Sequence, residues 1–136
     1  MSTAQDINTL LSSISALTAL VENRIYPTFL PQAVTYPAVR FDRTDDGGAK
    51  DFDGQGDTLR TELLIDCVAQ TLTEALAIAQ TVKDALRGYR GAMGAATVQQ
   101  TFLETEFDTF EPAIAGGMYR ASQAWTIWHH TLRTEQ

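Results

Sequence analysis

The residues most able to bind a metal ion lie in an acidic segment of the first half of the chain. Asp51, Asp53, Gln55, Gly56 and Glu62 stand at positions one, three, five, six and twelve of an EF-hand calcium loop. Gln at position five departs from the usual Asp or Asn. An EF-hand loop also needs a helix on each side, whereas a glycine-rich run precedes this segment and an alternating strand pattern follows it. We therefore keep calcium binding as an alternative and predict no metal site.

A second group of carboxylates has the residue types needed for acid–base chemistry. Glu104 and Glu106 are two residues apart, as are Glu106 and Asp108, so each pair would share one face of a strand. No pocket-lining His, Tyr or glycine-rich turn accompanies them, so a solvated strand face is preferred and a hydrolase is the less favoured alternative. His129 and His130 are adjacent, which directs their side chains to opposite faces. With no P-loop, GxSxG or CxxC motif, the sequence predicts neither an enzyme nor a cofactor.

The charge balance argues against tight binding of nucleic acid. The 136 residues carry 17 Asp and Glu against 10 Lys and Arg, a net charge of −7, whereas phosphate binding needs clustered basic residues. A single cysteine, Cys67, cannot form an intrachain disulfide, and its place in an alternating run indicates a buried thiol. Neither an export signal nor a membrane span is expected.

Hydrophobic periodicity predicts an α+β fold with the element order α-β-β-α-β-β. One helix spans Ser2–Val21, and a second begins with a capping box of Thr71 and Glu74 and stops at Gly88. A period of two predicts strands at Ala38–Arg43, from Thr58 to Ala69, at Thr97–Glu111 and at Met118–Leu132. We expect one domain over residues 1–136, with an antiparallel sheet of about four strands and both helices on one face.

The alternation also assigns side chains to the two faces of the sheet. Leu63 and Ile65 should face the helices, against Ala75, Ala79 and Val82. In the third predicted strand, a strict period of two separates one set of residues (Thr101, Leu103, Thr105 and Phe107) from the opposite set (Phe102, Glu104, Glu106 and Asp108).

Apolar residues on the second sheet face predict a subunit interface. Trp128 alternates with the helix-facing residues, so a two-layer monomer would leave it exposed to water. The segment from Ile25 to Pro37 contains three prolines, which exclude a regular helix or a central strand, yet it is too apolar for a free linker. We expect Tyr26, Phe29, Tyr36 and Trp128 to contact a neighbouring subunit.

The segment from Asp42 to Asp57 is predicted to be a mobile acidic hairpin loop. It contains six Asp and four Gly, and Phe52 is its one large apolar residue, so its residues repel one another and bury little. Five of the aspartates are expected to line a lumen or an interface: Asp45, Asp46, Asp51, Asp53 and Asp57.

Several runs of the sequence, in this order and spacing, resemble a known protein family. They are RIYP at 24–27, YPAVRF at 36–41, RTELLIDCVAQTLTEALAIAQTVKDAL at 60–86 and MYRASQAWTIW at 118–128. The chain is similar in these runs to the tail-completion and tail-terminator proteins of long-tailed bacteriophages and prophages. The loop between the second and third runs departs from the family in its dense cluster of Asp, since the family pattern does not fix the length or composition of this loop.

The resemblance implies a structural protein of the virion without catalytic residues. It further implies a small α+β domain, made in the host cytoplasm, that assembles as a hexameric ring at the head-proximal end of the tail. Such a ring ends polymerisation of the tail-tube protein and joins the tail to the head connector protein. DNA passes through the ring, and an acidic lumen would not hold it.

Overall fold

The computed structural model of the chain describes residues 3–31, 34–45, 58–112 and 117–131. These residues form three helices and six strands. The elements are α1 (Thr3–Ser12), α2 (Ser15–Val21), β1 (Ile25–Pro27), β2 (Ala38–Asp45), β3 (Thr58–Ala69), α3 (Leu72–Leu86), β4 (Gly91–Met93), β5 (Ala96–Glu111) and β6 (Met118–Thr131).

The six strands form one curled sheet in the order β1-β2-β3-β6-β5-β4. The prediction of an α+β fold is confirmed, but the prediction of about four antiparallel strands is wrong. The two additional strands, β1 and β4, have three residues each, and β1 pairs parallel to β2. A strand this short shows no periodicity, and Pro27 is compatible with β1 because β1 lies at the edge of the sheet.

The predicted amino-terminal helix is divided into α1 and α2 at Ser13 and Ile14. The hydroxyl of Ser13 donates a hydrogen bond to the Leu10 carbonyl at 2.6 Å. Ser and Thr hydroxyls that bond the backbone in this way compete with the helical pattern. Asp6 of α1 accepts, through Oδ1, a hydrogen bond from the backbone N–H of Ala95 at 3.0 Å.

Helix α3 follows the prediction closely. Thr71 Oγ1 accepts a hydrogen bond from the backbone N–H of Glu74 at 3.2 Å, and Gly88 has a φ of +70° after the last turn. These are the cap and the left-handed stop that the sequence indicated. In the described part of the chain, no helix has the length and apolar character needed to cross a membrane.

One face of the sheet forms the main core with the helices. Leu63 and Ile65 are buried in the same cluster as Ala75, Ala79 and Val82, so the predicted orientation of β3 is confirmed. Cross-strand partners in β2 and β6 share this face, which we call the helix face. Phe41 and Trp125 on this face, and Ile7 of α1, are among the largest fully buried side chains.

Several buried polar side chains on the helix face form hydrogen bonds, which limits the cost of removing them from water. Gln123 donates through Nε2 to the Ala79 carbonyl at 2.8 Å and accepts through Oε1 from the indole N–H of Trp125 at 3.0 Å. Thr61 Oγ1 lies 2.8 Å from His129 Nε2. Gln123 therefore links strand β6 to helix α3, and the Thr61–His129 contact links β3 to β6.

Candidate assembly interface

The outer edge of β5 is the largest unpaired strand edge in the described part of the chain. Strand β4 pairs only with residues 96–98 of β5, and β6 occupies the other side of β5 along its whole length. The segment from Gln100 to Glu111 thus presents backbone N–H and C=O groups on its outer side. Native proteins normally cover or protect edges of this length, because another strand can pair with them.

This edge carries three half-exposed phenylalanines. Phe102 is 47% exposed, Phe107 is 45% exposed and Phe110 is 50% exposed. Phe110 packs against Tyr119, with the ring centroids 4.8 Å apart and the ring planes tilted by 46°. Aromatic side chains are enriched in protein interfaces, and an apolar strand edge that stays in water promotes association.

Two bulges in β5 overturn the predicted assignment of its faces. The register with β6 shifts between Val98 and Gln100 and again between Leu103 and Thr105. Each bulge adds one residue and so exchanges the faces of all residues that follow. Phe107 therefore lies on the same face as Phe102, and Glu106 lies on the helix face with Asp108.

The bulges also separate the carboxylates considered for acid–base chemistry. Glu104 is the extra residue of the second bulge, so it no longer shares a regular face with Glu106. Glu106 accepts from Lys83 Nζ at 2.9 Å, while Asp108 is exposed. This arrangement is a solvated strand face with one ion pair to α3.

The second face of the sheet, opposite the helices and called here the open face, carries a charged network across its middle strands. Asp66 is buried and accepts hydrogen bonds from Arg40 Nη1 at 2.9 Å and from Ser122 Oγ at 2.6 Å. Arg120 Nε is 3.9 Å from the same carboxylate, and Asp42 pairs with the second nitrogen of Arg40. The network joins β2, β3 and β6 across the face, and sequence periodicity alone indicated none of these contacts.

Next to this network the open face forms a groove of about 580 Å³. Its floor and walls include Leu64, Ala124 and Thr126, with Arg60 and Glu62 paired at 3.1 Å beside them. The lining mixes charged, polar and small apolar residues, so the groove is not a predominantly apolar ligand pocket.

The proline-containing segment folds over one end of this open face. Ala38, Val68 and Met118 are buried there beneath four partly buried side chains: Tyr26, Leu30, Val34 and Tyr36. Tyr26 and Tyr36 thus have packing partners within their own chain. Their contact with a neighbouring subunit stays a prediction, and it concerns the part of each tyrosine side chain that is accessible to solvent.

Phe29 is the most exposed large apolar side chain described, at 71%. A tight turn displays it: the N–H of Phe29 donates to the Pro27 carbonyl at 2.8 Å, and Thr28 between them has a φ of +72°. This is the rarer, strained form of the γ-turn, and a positive φ at a β-branched residue costs about 1–3 kcal/mol. Thr28 is held in place because its own N–H donates to Phe41 O at 2.8 Å.

Trp128 is partly buried on the open face, in register with Arg60 of β3 and Gln100 of β5. Its orientation opposite to Trp125 and Ile127 agrees with the alternation in the sequence. Its contact with another subunit stays a prediction.

The structure describes only part of the acidic segment. Strand β2 continues to Asp45, so residues 42–45 belong to a strand rather than to the predicted loop. Asp46, Asp51, Asp53 and Asp57 lie outside the described residues. Of the EF-hand positions only Glu62 is described; it is exposed on β3 and paired with Arg60. Within residues 3–31, 34–45, 58–112 and 117–131, no three or more His, Cys, Asp or Glu side chains converge as metal ligands.

The aromatic edge of β5 was not singled out from the sequence. The available signal was a strand three times the usual length in which phenylalanines interrupt acidic residues. The position of the bulges, which brings Phe102 and Phe107 to one face, has no sequence signature in that run.

Comparisons with known proteins agree with the fold and with the resemblance noted in the sequence. A family model described as "Tail completion protein gp17" matches residues 5–130. Among solved structures, the fold is similar to that of a chain in the "Virion of native gene transfer agent (GTA) particle". The TM-score is 0.72, the sequence identity is 18% and the match covers 91% of each chain. No match was found among curated protein sequences. Since the family model spans nearly the whole chain, the protein belongs to the tail completion protein gp17 family.

Proposed function

We propose that this protein forms a ring, of six subunits, at the head-proximal end of a phage-type tail. Family membership makes it a structural component of such a tail. In the proposed role the ring stops polymerisation of the tail-tube protein and provides the surface to which the head connector protein docks. The role is mechanical, and no step of it requires catalysis.

The observation that carries the ring proposal is the uncovered edge of β5. Along twelve residues of β5, Gln100–Glu111, the outer edge pairs with no other described strand, and half-exposed phenylalanines lie on it. A monomeric protein with this edge is prone to uncontrolled association. A closed ring would cover one such edge in every subunit and leave none at an end.

The acidic residues of the edge support a controlled form of association. Glu104, Glu106, Asp108 and Glu111 lie on the strand together with the phenylalanines. Charged residues on an edge strand hinder pairing with wrong partners, and like charges placed directly opposite each other are destabilising. The edge would therefore accept a partner that offers a different charge pattern, which is what an ordered assembly needs.

We further propose that Asp45, Asp46, Asp51, Asp53 and Asp57 face the lumen of the ring or the adjoining ring. The net charge of −7 supports a surface that DNA passes without adhering. Basic residues there would release counterions on contact with phosphates and would hold the DNA, most strongly at low salt.

The ring is tested by measuring the mass of the protein over a range of concentrations, alone and with tail tubes, by light scattering or sedimentation. The proposal expects assembly into a discrete ring, if not in solution then at tube ends. A chain that remains monomeric at high concentration and does not bind tubes would refute it.

The lumen is tested with a variant in which the five aspartates are replaced by Asn. This variant should fold and assemble normally, yet bind DNA more tightly at low salt or slow genome delivery. A control variant, Glu22→Gln with Glu74→Gln and Asp84→Asn, removes exposed charges from the helical side and should leave DNA binding near that of the parent. If the loop variant instead loses a calcium-dependent stabilisation that the parent shows, the loop is a calcium site and the lumen proposal is wrong.

A further inference from the structure

The sheet has two different edges, and each presents exposed phenylalanine. One edge is β5, with Phe102 and Phe107 on the open face. The other is formed by β1 and β2, where the turn at Thr28 displays Phe29. Strand β1 pairs only with Val39, Arg40 and Phe41 of β2, so the following residues of β2 extend beyond it.

Two β5 edges are poorly suited to pair with each other. This stretch carries Glu104, Glu106, Asp108 and Glu111, and Lys83 of α3 bonds to Glu106. Pairing of two β5 edges would bring these acids close to the same acids of the other subunit, and like charges opposite each other are destabilising. The part of β2 that β1 leaves uncovered, residues 42–45, is less acidic, because it carries Arg43 together with Asp42 and Asp45. Charge therefore opposes contact between unlike edges less than it opposes contact between two β5 edges.

The two edges also lie at the same level along the strands. The cross-strand register runs from Phe41 through Ile65 and Gln123 to Glu106. Thr28 bonds to the Phe41 carbonyl, so the turn that displays Phe29 is level with Glu106 and its neighbour Phe107. A contact between unlike surfaces closes into a ring when the operation that relates the copies is a pure rotation. Because these two surfaces lie at one level, joining them requires no shift along the strand direction.

We propose that the Phe29 turn and the uncovered part of β2 in one subunit bind the β5 edge, around Phe107, of the next copy of the same chain. This contact rests on the ring proposed above and specifies its interface. It gives a reason for the strained turn at Thr28, since the fold holds an unfavourable φ where it exposes an aromatic ring. It also predicts that each subunit uses two distinct surfaces, one for each neighbour.

The test uses two variants that each damage one edge, Phe29→Asp and Phe107→Asp. Both side chains are largely or half exposed, so neither substitution places a charge in the core. Leu76→Asp is the control, because Leu76 is 43% exposed on α3, away from both edges. Each protein is examined by sedimentation velocity at concentrations at which the parent assembles, or with tail tubes if the parent assembles only there. Circular dichroism checks that each variant folds. If Phe29→Asp or Phe107→Asp fails to fold, the Ala substitution at the same position replaces it.

Each edge variant alone should remain monomeric, while Leu76→Asp should assemble like the parent. An equimolar mixture of the two edge variants should stop at a 1:1 heterodimer, because one intact edge from each variant can still meet. Assembly of either single variant to the parental size would overturn the proposed contact, as would a mixture that stays entirely monomeric or forms complete rings. If the parent protein assembles under no condition, both the ring proposal and the proposed contact are wrong. If the parent assembles and the edge variants assemble in the same way, only the proposed contact is wrong.

Discussion

The buried carboxylate of Asp66 should be a main determinant of stability, and Asp66→Asn tests this with little change in shape. Asp66 is 4% exposed and accepts hydrogen bonds from Arg40 and Ser122, and it is the carboxylate near the buried Nε of Arg120. Asn can retain the bond from Ser122 but supplies no charge to either guanidinium. Arg40 would then keep its ion pair with Asp42, while Arg120 would lose the carboxylate beside its Nε.

The expected cost follows from the burial of the groups involved. Removing one partner of a fully buried ion pair costs about 3–5 kcal/mol. The side chains of Arg40 and Arg120 are 23% and 34% exposed, so water partly compensates their loss. We therefore expect a loss of about 2–3 kcal/mol in the free energy of unfolding. For a chain of this size, that lowers the melting temperature by roughly 10 °C.

Asp42→Asn provides a matched control. It makes the same chemical change in a carboxylate that pairs with the same arginine, but the Asp42 side chain is 38% exposed. Exposed pairs contribute about 0–1 kcal/mol, so this variant should melt within a few degrees of the parent. The measurement is thermal and urea denaturation followed by circular dichroism. Equal destabilisation by the two substitutions, or a parental melting temperature for Asp66→Asn, would refute the inference that burial makes Asp66 important.

Three further predictions concern the core and its turns. Ile65→Asp should unfold the protein, since it places an unpaired charge on the helix face at a cost above about 4 kcal/mol, and a parental melting curve would contradict that orientation. Gly94→Ala should destabilise the folded protein by about 1–3 kcal/mol more than Gly88→Ala. Both glycines have positive φ, but a Cβ at Gly94 would lie 2.9 Å from Cα of Asp6, whereas a Cβ at Gly88 would meet nothing within 4 Å. Burial, and secondarily the Asp66 carboxylate, raises the pKa of the Cys67 thiol. A thiol reagent at neutral pH should therefore label Cys67 only as fast as the protein unfolds, and rapid labelling of the folded protein would disprove this.

The sequence was most informative where local chemistry decides structure. The cap at Thr71, the stop at Gly88 and the alternation through Leu63 and Ile65 all depend on neighbouring residues, and all three predictions are confirmed. The fold class follows from the same signals. The amino-terminal segment is helical, as predicted, but the backbone competition at Ser13 divides it into two helices.

The remaining features depend on contacts between distant parts of the chain. The bulge at Glu104 is defined by its register with β6, so no period within β5 reveals it. The partners of Asp66 are 26 and 56 residues away in sequence. Thr28 is a residue type that avoids positive φ, and the bond to Phe41 that stabilises it comes from a neighbouring strand.

The central claim is that this protein closes a ring on the end of a tail tube. It is tested most directly by mixing the purified chain with tail tubes, separating the bound protein and measuring the mass bound per tube end. The account predicts a discrete ring of six 14.9 kDa chains, a mass of about 89 kDa, on the head-proximal end and nowhere else along the tube. Binding of single subunits, binding along the tube wall, or no binding at saturating concentration would contradict it.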